Sequence, residues 1–292
     1  MKLVAALACV LALTGSSVSA LAPAPGASKE SSKSWQGFAR LPAPLSGPIV
    51  ASVDGKIFVI SGNPANGVPT AAVNAFDLAL RIWTPRSAAP QPIGAAAVAV
   101  LNGSIFVAGG CVRQDCSYPA SAVNTYDPKA DIWTPLPPLP EPLYGGQGAA
   151  LEGRFYVFGG IAGPIHQSGA SPRAYVFDPA ARTWTRLRDM PRRRAHLAGA
   201  EFGGRFVLAG GCVSATPGRS CDEVTAEADA YDAGSDSWSP FAALPMPLWG
   251  HGAVSDGGRI IVAGGSPVAT TGGGGRTFIL ARGGTRWIEG PA

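Results

Sequence analysis

The sequence predicts an all-β propeller of four-stranded blades, and two observations predict it. One order of signals recurs along the chain: an apolar run closed by a di-glycine, an aromatic-Asp pair, then a tryptophan. The di-glycine slot holds Ser61-Gly62, Gly109-Gly110, Gly159-Gly160, Gly210-Gly211 and Gly264-Gly265. The aromatic-Asp slot holds Phe76-Asp77, Tyr126-Asp127, Phe177-Asp178 and Tyr231-Asp232, with Phe278 taken as a degenerate fifth copy. The tryptophans Trp83, Trp133, Trp184, Trp238 and Trp287 stand 50, 51, 54 and 49 residues apart. The second observation is that each period contains only strand and turn signals, with no long helical pattern. A repeat of this length made of strands and turns reads as propeller blades, each burying its faces against its neighbours.

Taken in order, Met1 to Ala20 has one early cation, Lys2, then an apolar stretch from Leu3 to Leu13 and small polar residues up to Ala20. That is the layout of a secretory signal cleaved after Ala20, and the apolar stretch is too short to span a bilayer. A secreted or periplasmic protein with no membrane span is expected. Residues 21–34, rich in Pro, Ala, Ser and Lys, read as a flexible leader. The propeller is expected over residues 35–292, and Trp35 opens a segment resembling the blade exits WTPLPPLPEPLYG and WSPFAALPMPLWG.

Within each repeat the first strand is small and apolar (Ala95 to Leu101, Gly146 to Leu151, Ala198 to Phe202). It meets the second at a two-residue turn: Asp54-Gly55, Asn102-Gly103, Glu152-Gly153, Gly203-Gly204 or Gly257-Gly258. Four of these pairs favour positive φ at both positions and so a tight hairpin. The second strands (Ile57 to Ile60, Ile105 to Ala108, Phe155 to Phe158, Phe206 to Ala209, Ile260 to Ala263) are continuously apolar, as suits strands buried on both faces. The third carries the aromatic-Asp pair and the fourth the tryptophan. Charged residues are only 14% and the net charge is +4, too little to imply nucleic acid.

On these residues the chain resembles the kelch-repeat family from Trp35 to Ala292. The resemblance implies a kelch β-propeller. Trp35 supplies a fourth-strand signal before the first repeat while Trp287 completes the fifth, so five blades with an extra N-terminal strand are expected; an incomplete sixth blade is the alternative.

Of the mature cysteines, Cys111 and Cys116 share one loop and Cys212 and Cys221 another. Their spacings do not match zinc knuckles, so two local disulfides are expected and no metal. Aligning the hairpins places Gln147 and His251 in one slot near the start of the first strand, with His196 one position away through an extra residue in repeat 4. If that strand lines the channel, as in kelch propellers, these groups rim its mouth; hydrogen bonding to loop backbones is the plainer reading. Arg192, Arg193 and Arg194 lead into His196, where planar donors would suit a carboxylate, sulfate or phosphate, although a charged strand edge also explains arginines there. Trp249 beside His251 and Tyr144 beside Gln147 could stack on a sugar or pack beneath loops. His166 takes no role. Asn102-Gly103-Ser104 is a glycosylation acceptor on an exposed hairpin, meaningful in a eukaryotic secretory pathway.

A copper oxidase chemistry is disfavoured because the cysteines are expected in disulfides, and no phosphate-cradling loop or nucleophile–base constellation is readable; no cofactor is expected. The leading functional expectation is a monomeric binding module for a protein or glycan ligand, anionic on the arginine reading. The alternative is a carbohydrate-active enzyme similar to the kelch-type N-acetylneuraminate epimerases (mutarotases), whose catalytic residues cannot be matched here one by one.

Overall fold

The computed structural model describes Trp35, Gly37 and residues 39–64, 69–113, 116, 118–162, 169–214, 221–267 and 274–291. The expected signal, the leader and the His166 loop lie outside the described residues.

The described residues form five antiparallel blades in sequence order, each of four strands, with the two-residue strand Leu45–Ser46 added to the second strand of the first. Blade 1 comprises Ile49–Val53, Lys56–Pro64, Thr70–Asp77 and Ile82–Arg86. Blade 2 comprises Ala97–Leu101, Ser104–Ala108, Val123–Asp127 and Ile132–Leu136. Blade 3 comprises Gln147–Leu151, Arg154–Phe158, Ala174–Asp178 and Thr183–Arg186. Blade 4 comprises Ala198–Phe202, Arg205–Ala209, Ala228–Asp232 and Ser237–Phe241. Blade 5 comprises Trp249–Ser255, Arg259–Ser266, Thr277–Ala281 and Ile288–Glu289.

In the first four blades the hairpin turn has positive φ at both residues, from Asp54 and Gly55 through Gly203 and Gly204. Glu152-Gly153, the least favourable of the pairs, adopts the same turn. Blade 5 turns at Gly257-Gly258 with the same length but only Gly257 at positive φ: the Asp256 N–H donates to the Arg259 carbonyl at 3.1 Å, and the Asp256 carboxylate accepts the Arg259 backbone N–H at 2.6 Å. Register also corrects the fifth aromatic slot. The second strand opposes Phe76, Tyr126, Phe177 and Tyr231 with Ile57, Ile105, Phe155 and Phe206, and in blade 5 Ile260 opposes Leu280. Leu280-Ala281, not Phe278, therefore fills that position. The aspartates missing from blade 5 have a local job elsewhere: Asp77, Asp127 and Asp178 each accept two backbone N–H groups of the turn that follows.

The core lies between blades. One apolar cluster joins blades 1 and 2 around Phe58 and Tyr126, the next joins 2 and 3 around Phe155 and Phe177, the third joins 3 and 4 around Phe158 and Tyr231, and the fourth joins 4 and 5 around Val262 and Phe278. The tryptophans extend this scheme. Trp133, Trp184, Trp238 and Trp287 each donate their indole N–H to a carbonyl in the linker leaving the preceding blade, at Ser87, Pro137, Arg188 and Ala242. Trp83 donates likewise to Arg40 at 2.8 Å, and Trp35 donates to Thr277 of blade 5 at 3.0 Å. The segment from Trp35 thus ties blade 1 to blade 5, which accounts for its resemblance to a blade exit.

The di-glycines sit where the second strand meets the entry of the next blade. A Cβ on Gly109 would lie 2.3 Å from the Leu143 carbonyl oxygen, and one on Gly159 2.3 Å from that of Arg194. Both have φ near +65°, which only glycine adopts without strain (Gly109 +68°, Gly159 +64°).

Candidate functional site: the channel mouth

First strands of consecutive blades lie against one another, blade 1 on 2 through 4 on 5, so they are the innermost layer. Because Gln147 opposes Phe158, the start of each first strand and the end of each second strand share one end of the blade. The blade entries and the loops joining second to third strands therefore frame the same mouth.

A ladder of backbone hydrogen bonds runs along these entries. The Ala95 N–H donates to Gly47 O, Gly145 N–H to Ala95 O, His196 N–H to Gly145 O and Gly250 N–H to His196 O, at 2.7–3.2 Å. All five rungs have positive φ: Gly47, Ala95, Gly145, His196 (+50°) and Gly250. This resolves the histidine alignment differently from the expectation. His196 is the rung equivalent of Gly145 and Gly250. His251 is one step on, matching Leu197: Gly211 closes on Leu197 as Gly265 closes on His251. Gln147, which faces Phe158, matches Ala198, which faces Ala209, and Gly252, which faces Ala263. The three polar groups occupy three successive positions, and repeat 4 needs no extra residue before its Gly203-Gly204 turn.

Three of the expected site residues come together. The rings of Tyr144 and His196 are 5.8 Å apart and those of His196 and Trp249 5.6 Å apart, both edge-on. Each precedes or occupies a rung, so the ladder itself brings them together. The imidazole of His196 lies over Gly145, where a Cβ would approach its ring to 2.8 Å. Burial pushes the half-buried His196 imidazole down to about 4 and the Tyr144 phenol up to about 12, leaving both neutral at pH 7. His251, 8% exposed, packs against Gly210, and burial holds it down at about 4, opposed by its hydrogen-bonding contact with the Ala209 backbone. The buried Tyr144 hydroxyl lacks a hydrogen-bond partner.

The remaining expected residues are placed elsewhere. Gln147 is half-buried and its side-chain amide donates to the Gly148 carbonyl at 2.7 Å, the plainer reading of that residue. Arg194 does not reach the mouth. It is fully buried, bonded to Asp229 Oδ2 at 2.6 Å and to the Glu227 carbonyl at 3.0 Å. A buried guanidinium needs such a partner, since an unpaired charge there is costly. Arg192 is exposed but pairs with Glu227 at 2.6 Å, and Arg193 is exposed. Sequence reasoning missed Asp229 and Glu227; the available signal was a carboxylate standing inside the otherwise apolar third strand of blade 4.

Both disulfides form, Cys111–Cys116 and Cys212–Cys221. Each braces a rung: Cys111 exchanges two backbone hydrogen bonds with Gly94, and Cys212 two with Ala195, one residue before His196. The first disulfide also packs with Tyr144, Ile161 and Ala195 in a small cluster under the mouth. Asn102 is exposed at its hairpin tip. Among the described residues, no three His, Cys, Asp or Glu side chains come together to hold a metal ion, and no helix is long and apolar enough to cross a membrane.

The kelch motif model matches residues 92–140 and 142–191, two successive copies of the unit that the structure repeats five times. The chain is a kelch-repeat protein. Among curated proteins it is similar to Kelch-like protein 34 of Homo sapiens, 34% identical over 94 residues, or 32% of this chain and 14% of that protein. Kelch-like protein 15 of Gallus gallus is 29% identical over 109 residues, 37% of this chain and 21% of that protein. Kelch-like protein terF of Aspergillus terreus is 30% identical over 149 residues, 35% of this chain and 32% of that protein. The chain thus spans a third or less of the length of these kelch relatives. The solved structure of YjhT superposes with a TM-score of 0.65 at 20% identity, over 78% of this chain and 75% of that one, a likeness of fold.

Proposed function

We propose that this kelch propeller is an exported interaction module that holds its ligand over the channel mouth, on Tyr144, His196 and Trp249. The observation that carries this reading is the conformation of His196. It stands at φ +50° in a rung that is glycine in three of the five blades. An L-residue there costs roughly 1–2 kcal/mol; Ala95 has the same backbone in blade 2 with only a methyl group, whereas His196 places an imidazole between the rings of Tyr144 and Trp249. The surroundings hold it in place: the N–H and C=O of His196 are both in the ladder, those of Ala195 are both on Cys212, and Arg194 is anchored by Asp229. The two disulfides support export, since such bonds persist in oxidising compartments.

The alternative, an enzyme exchanging sugar anomers, would need an acid, a base and a clamp for a sugar carboxylate. Arg194 is committed to Asp229, and imidazoles held near 4 are poor acids and bases at neutral pH. These observations favour binding over catalysis.

The test is His196→Gly. Relief of backbone strain offsets the lost ring packing, so stability should stay within about 1 kcal/mol of the parent while ligand binding falls at least about tenfold. Unchanged affinity for a ligand recovered from a glycan array or a protein partner screen would defeat the proposal.

A further inference from the structure

We infer that the ligand of this mouth is an uncharged, polyhydroxylated molecule, a neutral saccharide, contacted by His196 and Trp249. The inference rests on the mouth being the binding site, and it specifies the chemistry of what binds there.

Charge is the first argument. The arginine run that would have suited an anion is neutralised within blade 4: Arg194 by Asp229 at 2.6 Å and Arg192 by Glu227 at 2.6 Å. On blade 3, Arg186 pairs with Asp189 at 3.0 Å and Arg173 pairs with Glu141. Arg193 remains as an exposed cation beside the run, and an exposed guanidinium contributes at most about 1 kcal/mol to an ion pair.

Hydrogen-bonding capacity is the second. A neutral imidazole presents one donor and one acceptor, and a phenol does both. A ligand hydroxyl complements either edge of the ring, whereas a carboxylate or sulfate only accepts and is complementary to the N–H edge alone. The buried Tyr144 phenol beneath His196 is likewise neutral, so no charge lies under the ring that faces the ligand.

The third argument separates a sugar from a peptide. Ala95, Gly145 and His196 have both their N–H and C=O engaged in the ladder, so an extended peptide finds no free backbone edge along these rungs. Among the described residues, His196 and Trp249 present rings against which the apolar face of a pyranose can lie.

The experiment uses the mature full-length protein and saturation-transfer NMR backed by calorimetry. The probes are lactose, cellobiose, maltose, N,N′-diacetylchitobiose and N-acetylneuraminic acid, each at low and high salt. At least one neutral disaccharide should bind with salt-independent affinity, reduced roughly tenfold or more in both Trp249→Ala and His196→Gly. His196→Gly guards against a Trp249 variant that fails to fold. Tighter, salt-sensitive binding of N-acetylneuraminic acid overturns the inference on ligand charge, and leaves the mouth as the site if both variants lose it. A neutral sugar bound equally by the parent and both variants overturns the mouth as the site. Binding of none of the neutral sugars overturns the saccharide class, and a peptide bound instead and lost in His196→Gly would do the same.

Discussion

Ser61 occupies the first position of the di-glycine in blade 1, where the other blades have Gly109, Gly159, Gly210 and Gly264. It has the same left-handed backbone, φ +55°, is 0% exposed, and its hydroxyl has no partner. Its Cβ has also been accommodated at a measurable expense. Gly62 N–H reaches the Ile93 carbonyl at 3.3 Å, where the matching bonds of Gly110, Gly160 and Gly211 are 2.7, 2.9 and 2.8 Å. Replacing Ser61 by glycine should therefore stabilise the protein. Relief of the left-handed strain is worth roughly 1–2 kcal/mol and removal of the orphaned hydroxyl roughly 1–3 kcal/mol. The larger unfolded-state entropy of glycine takes back roughly 0.4–1 kcal/mol. The net expectation is about 2 kcal/mol, read as a higher urea midpoint at unchanged slope, followed by tryptophan fluorescence. The reverse change at the same position of blade 3, Gly159→Ser, should destabilise by at least about 2 kcal/mol, since its Cβ would lie 2.3 Å from the Arg194 carbonyl oxygen. A neutral or destabilising Ser61→Gly would refute the reasoning, because it would mean that the serine makes an interaction the structure does not contain.

Two further outcomes follow from the mouth. His196 and His251 are held at about 4 against an ordinary 6.5, so on acidification the unfolded chain takes up protons first. Stability should be full above pH 6.5 and decline towards pH 4, by on the order of 2–3 kcal/mol per imidazole. Urea midpoints across that range measure this, and His251→Leu, which installs the blade 4 residue type, should flatten the decline; a midpoint independent of pH would contradict it. Removing Cys212–Cys221 with paired serines should cost about 2–3 kcal/mol on the chain-entropy view. It should also speed hydrogen exchange at the Ala195 amide, which donates to Cys212, more than at Gly94, which donates to Cys111. Equal acceleration at both would show that the disulfide does not act on its own rung.

The blades were legible in the sequence because their determinants are local and repeated. A glycine needed for a left-handed turn, an aspartate capping the next turn and a tryptophan reaching the preceding linker each act within one period, so five copies reinforce one another. The two disulfides were legible for the same reason, each lying in one loop. The site was legible only as a set of residue types. Tyr144, His196 and Trp249 come from three blade entries, and nothing within one repeat says that a hydrogen-bond ladder aligns them. The turns are equally long in all five blades, so the spacing itself already separated Gln147, His251 and His196, which lie five, six and seven residues before their turn pairs, and put Leu280 rather than Phe278 seven residues before its tryptophan. The tertiary structure decided the fate of charge. Arg194 carries the same sequence signal as Arg192 and Arg193, yet the third strand of blade 4 brings Asp229 against it and buries both. Burial and pairing are properties of neighbours distant in sequence, and they turned an apparent anion clamp into the support on which His196 rests.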